Sequence, residues 1–164
     1  MSIRVAIITS SDTGYRGERE DLSQPAVREI VEAAGDTVVS AALLPDNRKM
    51  LAEKMKTIAD WKEADLILTT GGTGFSPRDI TPEATMDIAE RLVPGIPEAM
   101  RAYSLQFTGR AMLSRAVSVI RKQTLIVNLP GSPKAVKECL ESIYPQLQHG
   151  IDILTGKTGD CGRK

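Results

Sequence analysis

Apolar residues in this chain fall into short unbroken runs and spaced stripes that alternate along it. Ile3 to Thr9 carries Val5, Ala6, Ile7 and Ile8 without a polar break, the pattern of a strand covered on both faces. Leu22, Ala26, Val27, Ile30, Val31 and Ala34 then recur at helical spacing and stop at Gly35, a residue suited to ending a helix. Thr37 to Leu44 reads as a second strand, closed by Pro45-Asp46. Leu51, Met55, Ile58 and Trp61 mark one face of a second helix, and Leu66-Ile67-Leu68 is a third buried strand. Strand, helix, strand, helix, strand is the alternation of a doubly wound sheet.

The second half continues it with one interruption. Thr81 as N-cap and Pro82 in the first turn predict a short helix towards Arg91, and a further helix is expected over 98–107. Ala116 to Ile120 and Thr124 to Asn128 read as strands joined by Arg121-Lys122-Gln123. A link that short requires antiparallel pairing, so one strand runs against the rest. Ser132-Pro133 opens a last helix with Val136, Cys139, Leu140, Ile143 and Leu147 inward, and residues 155–164 read as a loose tail. The expected fold is a three-layer α/β domain over 1–164, its mostly parallel sheet carrying one antiparallel strand and helices on both faces.

Composition narrows the function. With 164 residues, 41% of them hydrophobic, the chain can bury one sizeable core. Twenty-one basic residues balance 21 acidic ones, which leaves no broad positive field and argues against a nucleic-acid surface. No early apolar run is long enough for a membrane span or secretory leader, so a cytoplasmic protein with no membrane partner is expected. Cys139 and Cys161 lack metal-ligand spacing, and the sequence has a single histidine, His149.

The chemistry-bearing residues cluster by position. Ser10-Ser11-Asp12-Thr13, Pro45-Asp46-Asn47, Thr69 to Arg78 and Asn128-Leu129-Pro130-Gly131-Ser132-Pro133 each follow the carboxyl end of an expected strand. In an open parallel sheet those ends line the ligand crevice, so the four loops can meet. Gly71-Gly72-Thr73-Gly74 can approach a ligand closely and offer successive N–H groups to phosphate oxygens. It matches neither the Walker spacing nor a dinucleotide fingerprint, and a plain glycine-rich turn remains open. Asp79 beside such a cradle needs an intervening cation, and Mg²⁺ binds one or two carboxylates together with substrate phosphates. Asp12 and Asp46 are the other candidate carboxylates, although Asp12 and Asp79 could be turn residues and Asp46 a helix cap. Arg78 could pair with a phosphate or face solvent. Ser132 starts a helix whose N–H groups face the same crevice, with Ser114, Arg115 and Arg121 as further candidates for a phosphate.

Thr69 to Gly74, followed by Pro77-Arg78-Asp79-Ile80-Thr81-Pro82-Glu83-Ala84-Thr85, resembles the signature of the molybdopterin-binding MogA/MoaB family, whose domain also occurs in gephyrin. Ser11-Asp12-Thr13, Pro45-Asp46, Met112-Leu113-Ser114-Arg115 and Asn128 to Pro133 agree with it, over about Ile3 to Gly150. The resemblance implies molybdopterin adenylyltransferase activity: AMP passes from ATP to the terminal phosphate of molybdopterin, pyrophosphate leaves, and Mg²⁺ assists. It assigns Asp46 and Asp79 to catalysis and to Mg²⁺, and Gly71, Gly72, Thr73 and Gly74 to nucleotide phosphates. It assigns Ser11, Asp12, Ser114, Arg115, Pro130, Gly131 and Ser132 to molybdopterin. A homotrimer and handover of product to a molybdate-inserting enzyme are implied as well. The alternative is a non-catalytic MoaB-type protein that only binds molybdopterin; aspartates at both 46 and 79 match the active type.

Overall fold

The computed structural model describes residues 2–157. Its elements run β1 (Arg4–Ser10), α1 (Asp12–Tyr15), α2 (Ser23–Ala33), β2 (Thr37–Leu44), α3 (Arg48–Asp60), β3 (Leu66–Thr70) and α4 (Thr81–Asp87). There follow β4 (Arg91–Leu92), α5 (Gly95–Ser104), a 3-10 turn (Gly109–Leu113), β5 (Ser118–Arg121), β6 (Thr124–Leu129) and α6 (Pro133–Leu154). Six strands form one sheet in the order β2-β1-β3-β6-β5-β4. The first four are parallel. β5 pairs antiparallel with both β6 and β4, so it runs against the other five, as the tight Arg121–Thr124 link requires.

Alternation along the strands feeds two cores. On one face Val5, Ile7, Leu68 and Val127 pack with Val27 and Val31 of α2, Met100 of α5 and Val136, Leu140 and Leu147 of α6. On the other, Ala6, Ile8, Ile67 and Ile126 meet Leu51, Met55 and Ile58 of α3 and Ala84 of α4. Both sides of the sheet are covered, which is why the central strands carry no polar alternation. Each large apolar side chain buried in this way contributes about 1.5–3 kcal/mol.

Several boundaries differ from the sequence expectation. Trp61 is not on the inward face of α3: the stripe ends at Ile58, and Trp61, just past the last turn, is 77% exposed. Leu22 likewise precedes α2 and is exposed, not inward. Thr81 does not cap α4. Ile80 holds the cap position, and the Thr81 N–H donates instead to the Gly72 carbonyl at 3.1 Å. The chain at Arg91 is a two-residue edge strand, too short to show any periodicity. α5 begins three residues earlier than expected, because Pro97 is tolerated in a first turn whose N–H groups have no intrahelical partner. Of the expected tail, Thr155 and Lys157 close α6 through N–H bonds to Ile151 and Asp152 carbonyls. Residues 158–164, Cys161 among them, lie outside the described residues.

Candidate functional site

The parallel strands end on one edge of the sheet: Ser10 lies beside Leu44, Thr9 beside Thr70, and Thr70 beside Leu129. The four loops that leave them therefore meet. The chain leaves β1 outward to β2 and then returns past β1 to β3, so the strand order reverses between β1 and β3, the switch point where such sheets bind ligands.

On the β2 side the first two loops interlock. The Asp46 N–H donates to Asp12 Oδ1 at 2.9 Å, and the Asp12 N–H donates to Asp46 Oδ2 at 3.1 Å. The Ser10 hydroxyl donates to Asp46 Oδ1 at 2.6 Å. Asn47, not Asp46, caps α3 by accepting from the Met50 N–H, which leaves the Asp46 carboxylate to the β1 loop. Arg78 crosses from the third loop, its Nε and Nη2 on Asp12 Oδ2 and Oδ1 at 2.9 and 3.1 Å. This guanidinium, followed by the Asp46 N–H, holds the Asp12 carboxyl below its usual value. Arg78 is thus ion-paired rather than simply solvated.

On the β6 side the glycines do steric work. Gly71 and Gly72 have φ of 86° and 69°, and a Cβ on Gly71 would stand 2.5 Å from the Ser10 carbonyl oxygen. A Cβ on Gly72 would overlap the Thr81 hydroxyl. The Gly71 N–H donates to the Leu129 carbonyl, and Gly131 packs against Gly71 so closely that its Cβ would lie 3.4 Å from the Gly71 Cα. Ser132 caps α6 by accepting from the Ala135 N–H at 3.2 Å, while the Ser23 hydroxyl donates to the Gly131 carbonyl at 2.6 Å. At the far end of the third loop the Ser76 N–H donates to Asp79 Oδ2 at 3.0 Å. The Arg115 guanidinium is committed to protein groups: Nε to the Gly74 carbonyl, Nη2 to the Asp79 carbonyl and Nη1 to the Glu83 carboxylate. Ser114 ends the 3-10 turn, its hydroxyl accepting from the Ala116 N–H.

Two cavities flank this glycine ridge. One, of about 360 Å³, is lined by Ser10, Ser11, Asp21, Ser23, Gly71, Gly131 and Ser132 among others. The second, of about 430 Å³ and more apolar, is lined by Thr73, Gly74, Phe75, Arg101, Leu113, Ser114 and Pro130 among others. Consecutive residues of the same loops therefore face different cavities, so the two are neighbours. Asp46 is tied to the wall of the first through Ser10, and Asp79 to the wall of the second through Gly74, where a Cβ would come within 2.9 Å of Asp79 Oδ2. Gly72, Asp12, Asp46, Asp79 and Arg115 line neither cavity directly.

Asp21 escaped the sequence reading. Its Oδ1 accepts from the Ser23 and Gln24 N–H groups and its Oδ2 from the Thr9 hydroxyl at 2.6 Å. The Asp-x-Ser spacing before an apolar stripe is a helix-start signal that could have found it. Under the ridge, buried Asn128 donates to the hydroxyls of Thr69 and Thr85 and accepts from the Val117 N–H.

The model of the probable molybdopterin binding domain matches residues 6–149. The chain is 36% identical over 157 residues to the molybdopterin adenylyltransferase of Helicobacter pylori J99, covering 94% of this chain and 89% of that protein. It is 42% identical over 144 residues to the Escherichia coli K12 molybdopterin adenylyltransferase, covering 87% and 74%. The crystal structure of the molybdopterin biosynthesis enzyme MoaB from Thermus thermophilus superposes with a TM-score of 0.90 at 46% identity, covering 96% and 99%.

Proposed function

This chain belongs to the molybdopterin-binding domain family, and we propose that it acts as a molybdopterin adenylyltransferase, moving AMP from ATP to the terminal phosphate of molybdopterin. A phosphate oxygen of molybdopterin bonds to the α-phosphorus of ATP, the bond from that phosphorus to the β-bridging oxygen breaks, and pyrophosphate leaves. Such a transfer needs positioning and charge neutralisation rather than a protein nucleophile. The observation that carries the reading is the pair of cavities on one glycine ridge, with an aspartate tied to the wall of each. Two phosphate-bearing substrates can then meet over the ridge, with Gly71 at the first cavity and Thr73 and Gly74 at the second. The non-catalytic alternative draws no support from relatives named as adenylyltransferases.

The carboxylates suit Mg²⁺ as its holders. Asp79 Oδ1 accepts no hydrogen bond among the described residues, and each Asp46 oxygen accepts one, short of its capacity of about two. Hard carboxylate oxygens of this kind, completed by substrate phosphates, are the donor set Mg²⁺ prefers. When bound, the ion supplies positive charge between two polyanions. The chain's part is orientation: the Ser10 hydroxyl and Asp12 N–H aim Asp46, and the Ser76 N–H aims Asp79. The residues that the resemblance assigns together to molybdopterin divide between the cavities: Ser11, Gly131 and Ser132 contact the substrate in the first, Ser114 and Pro130 that in the second.

A homotrimer, a cytoplasmic setting and onward transfer of the adenylylated product to a molybdate-inserting enzyme complete the proposal. Exposed Phe107, Met112 and Leu113 support association between copies, and no helix among the described residues is long and apolar enough to cross a membrane. The test is incubation of the pure protein with molybdopterin and MgATP while pyrophosphate and adenylylated pterin are measured. Pyrophosphate release that requires molybdopterin is expected; release no higher than in the pterin-free control overturns the activity.

A further inference from the structure

We propose that Arg115 is a positioning residue, fixing the Asp79 carboxylate by holding both ends of the 74–79 loop, and that it does not bind substrate phosphate. The inference rests on the adenylyl-transfer reading above. Gly74 and Asp79 stand at the two ends of this loop, and their carbonyls both accept from one guanidinium, at 2.7 and 2.8 Å. Inside the loop so closed, the Ser76 N–H donates to Asp79 Oδ2 at 3.0 Å, and the Asp79 N–H donates back to the Ser76 carbonyl at 2.9 Å. Gly74 contributes the room, since a Cβ there would press on the same carboxylate oxygen.

Arg115 is itself held. Its N–H donates to the Thr73 carbonyl at 2.9 Å, and its third guanidinium nitrogen meets the Glu83 carboxylate in the first turn of α4. Glu83 Oε2 is buried with no partner among the described residues, and Arg115 is the foremost of the groups that hold the Glu83 carboxyl below its usual value, ahead of the Glu83 N–H and Arg48. To reach a substrate phosphate the guanidinium would have to abandon two carbonyls and a half-buried carboxylate together. A lysine cannot replace it, because a single ammonium lacks the planar fork that serves three acceptors in set directions. Displacing a reacting group by about 1 Å is enough to cost roughly a hundredfold in rate.

The test compares wild type with Arg115→Lys and Glu83→Gln by steady-state kinetics and by amide hydrogen exchange at Ser76. For Arg115→Lys the expected result is a fall in kcat of about a hundredfold with KM for ATP and for molybdopterin within about threefold. Exchange at Ser76 should quicken in this variant while the strands keep their protection. Glu83→Gln keeps both carbonyl bonds and should lose less than about tenfold in kcat. A raised KM for molybdopterin with unchanged kcat in Arg115→Lys would make Arg115 a direct ligand and overturn the proposal. So would unchanged exchange at Ser76. Should Arg115→Lys not fold, Arg115→Gln, which also loses the fork to the Gly74 and Asp79 carbonyls, carries the test, with unchanged Ser76 exchange again counting against the strut. A wild-type protein that releases no pyrophosphate defeats the adenylyltransferase reading alone, because the exchange measurement still decides the role of Arg115.

Discussion

Arg78 and Arg115 both engage the loop after β3, and they are held in opposite ways. Arg78 is 63% exposed and grips one carboxylate, Asp12, in the mouth of the crevice. Arg115 is 33% exposed and serves two backbone carbonyls and Glu83. An exposed ion pair is screened by salt and can change partners at little cost. Carbonyl acceptors carry no titratable charge, so the second arrangement is insensitive to pH over most of its contacts. One side of the crevice is therefore built to yield when a charged ligand arrives, and the other to stay in place. The Asp46 side depends on side chains that exchange bonds with one another, whereas the Asp79 side depends on a closed backbone loop.

The largest effect should come from removing a carboxylate charge on either side. Asp79→Asn keeps an oxygen for the Ser76 N–H, and Asp46→Asn can still take the Asp12 N–H while its amide donates to the Ser10 hydroxyl. Both variants should fold and lose at least about a hundredfold in turnover, because groups that neutralise developing charge at such sites are worth several kcal/mol. Rates of pyrophosphate release, with melting temperature as control, check this. A mild Asp46→Asn beside a crippled Asp79→Asn would show that only the rigid side carries the charge the reaction needs.

Next in size is a change beneath both sides. Asn128→Leu strands the Val117 N–H and removes the bonds to Thr69 and Thr85 in a fully buried setting. A cost of about 2 kcal/mol is expected, or a fall in melting temperature of roughly 4–8 °C for a domain of this size. Denaturation by heat and by urea measures it. Loss of stability with the ratio of the two carboxylate effects unchanged would place Asn128 under the whole ridge rather than under one loop.

Ser10→Ala probes the yielding side alone. Its hydroxyl is buried and donates to Asp46 at 2.6 Å, so its loss frees one carboxylate oxygen without removing charge. Turnover should drop by about tenfold, the equivalent of roughly 1.4 kcal/mol of lost orientation. A full hundredfold loss, matching Asp46→Asn, would mean that the Asp46 side is as rigid as the other and would erase the contrast.

How much of this contrast was readable in advance follows from what each contact depends on. The strands were legible because an unbroken apolar run as short as Val5 to Ile8 suits little but a strand buried on both faces, and the convergence of four loops followed from parallel topology. The two aspartates and the glycine run stood out by position, and the family resemblance gave them roles and assigned Arg115 to molybdopterin. A side chain's partners at 2.7 Å depend on tertiary contacts between residues 41 positions apart, and no periodicity encodes them. The same limit hid the reciprocal bonds of Asp12 and Asp46, separated by 34 residues. Thr81 misled because α4 starts one residue early: Ile80 takes the cap position and Thr81 becomes the first helical residue, its N–H on the Gly72 carbonyl. Arg78 stayed ambiguous because its neighbours in sequence say nothing of Asp12, which reaches it from another loop.

The smallest effect is the most direct check on the yielding side. Arg78 is the foremost cause of the lowered Asp12 carboxyl, with the Asp46 N–H second. A carboxyl lowered in the folded state adds stability above its ordinary value, and that stability is lost as pH falls through the folded value. Arg78→Gln should therefore melt slightly below wild type at neutral pH, and the gap should close as acid protonates Asp12. It should also shrink with added salt, since the pair is exposed. Carboxyl-carbon NMR titration should move the Asp12 midpoint upward in the variant, though not fully to the ordinary value, because the Asp46 N–H still donates. An Asp12 midpoint that stays where it was would mean that Arg78 does not hold this carboxylate in solution, and the mouth of the crevice would then lack the exchangeable latch that sets it apart from the Arg115 side.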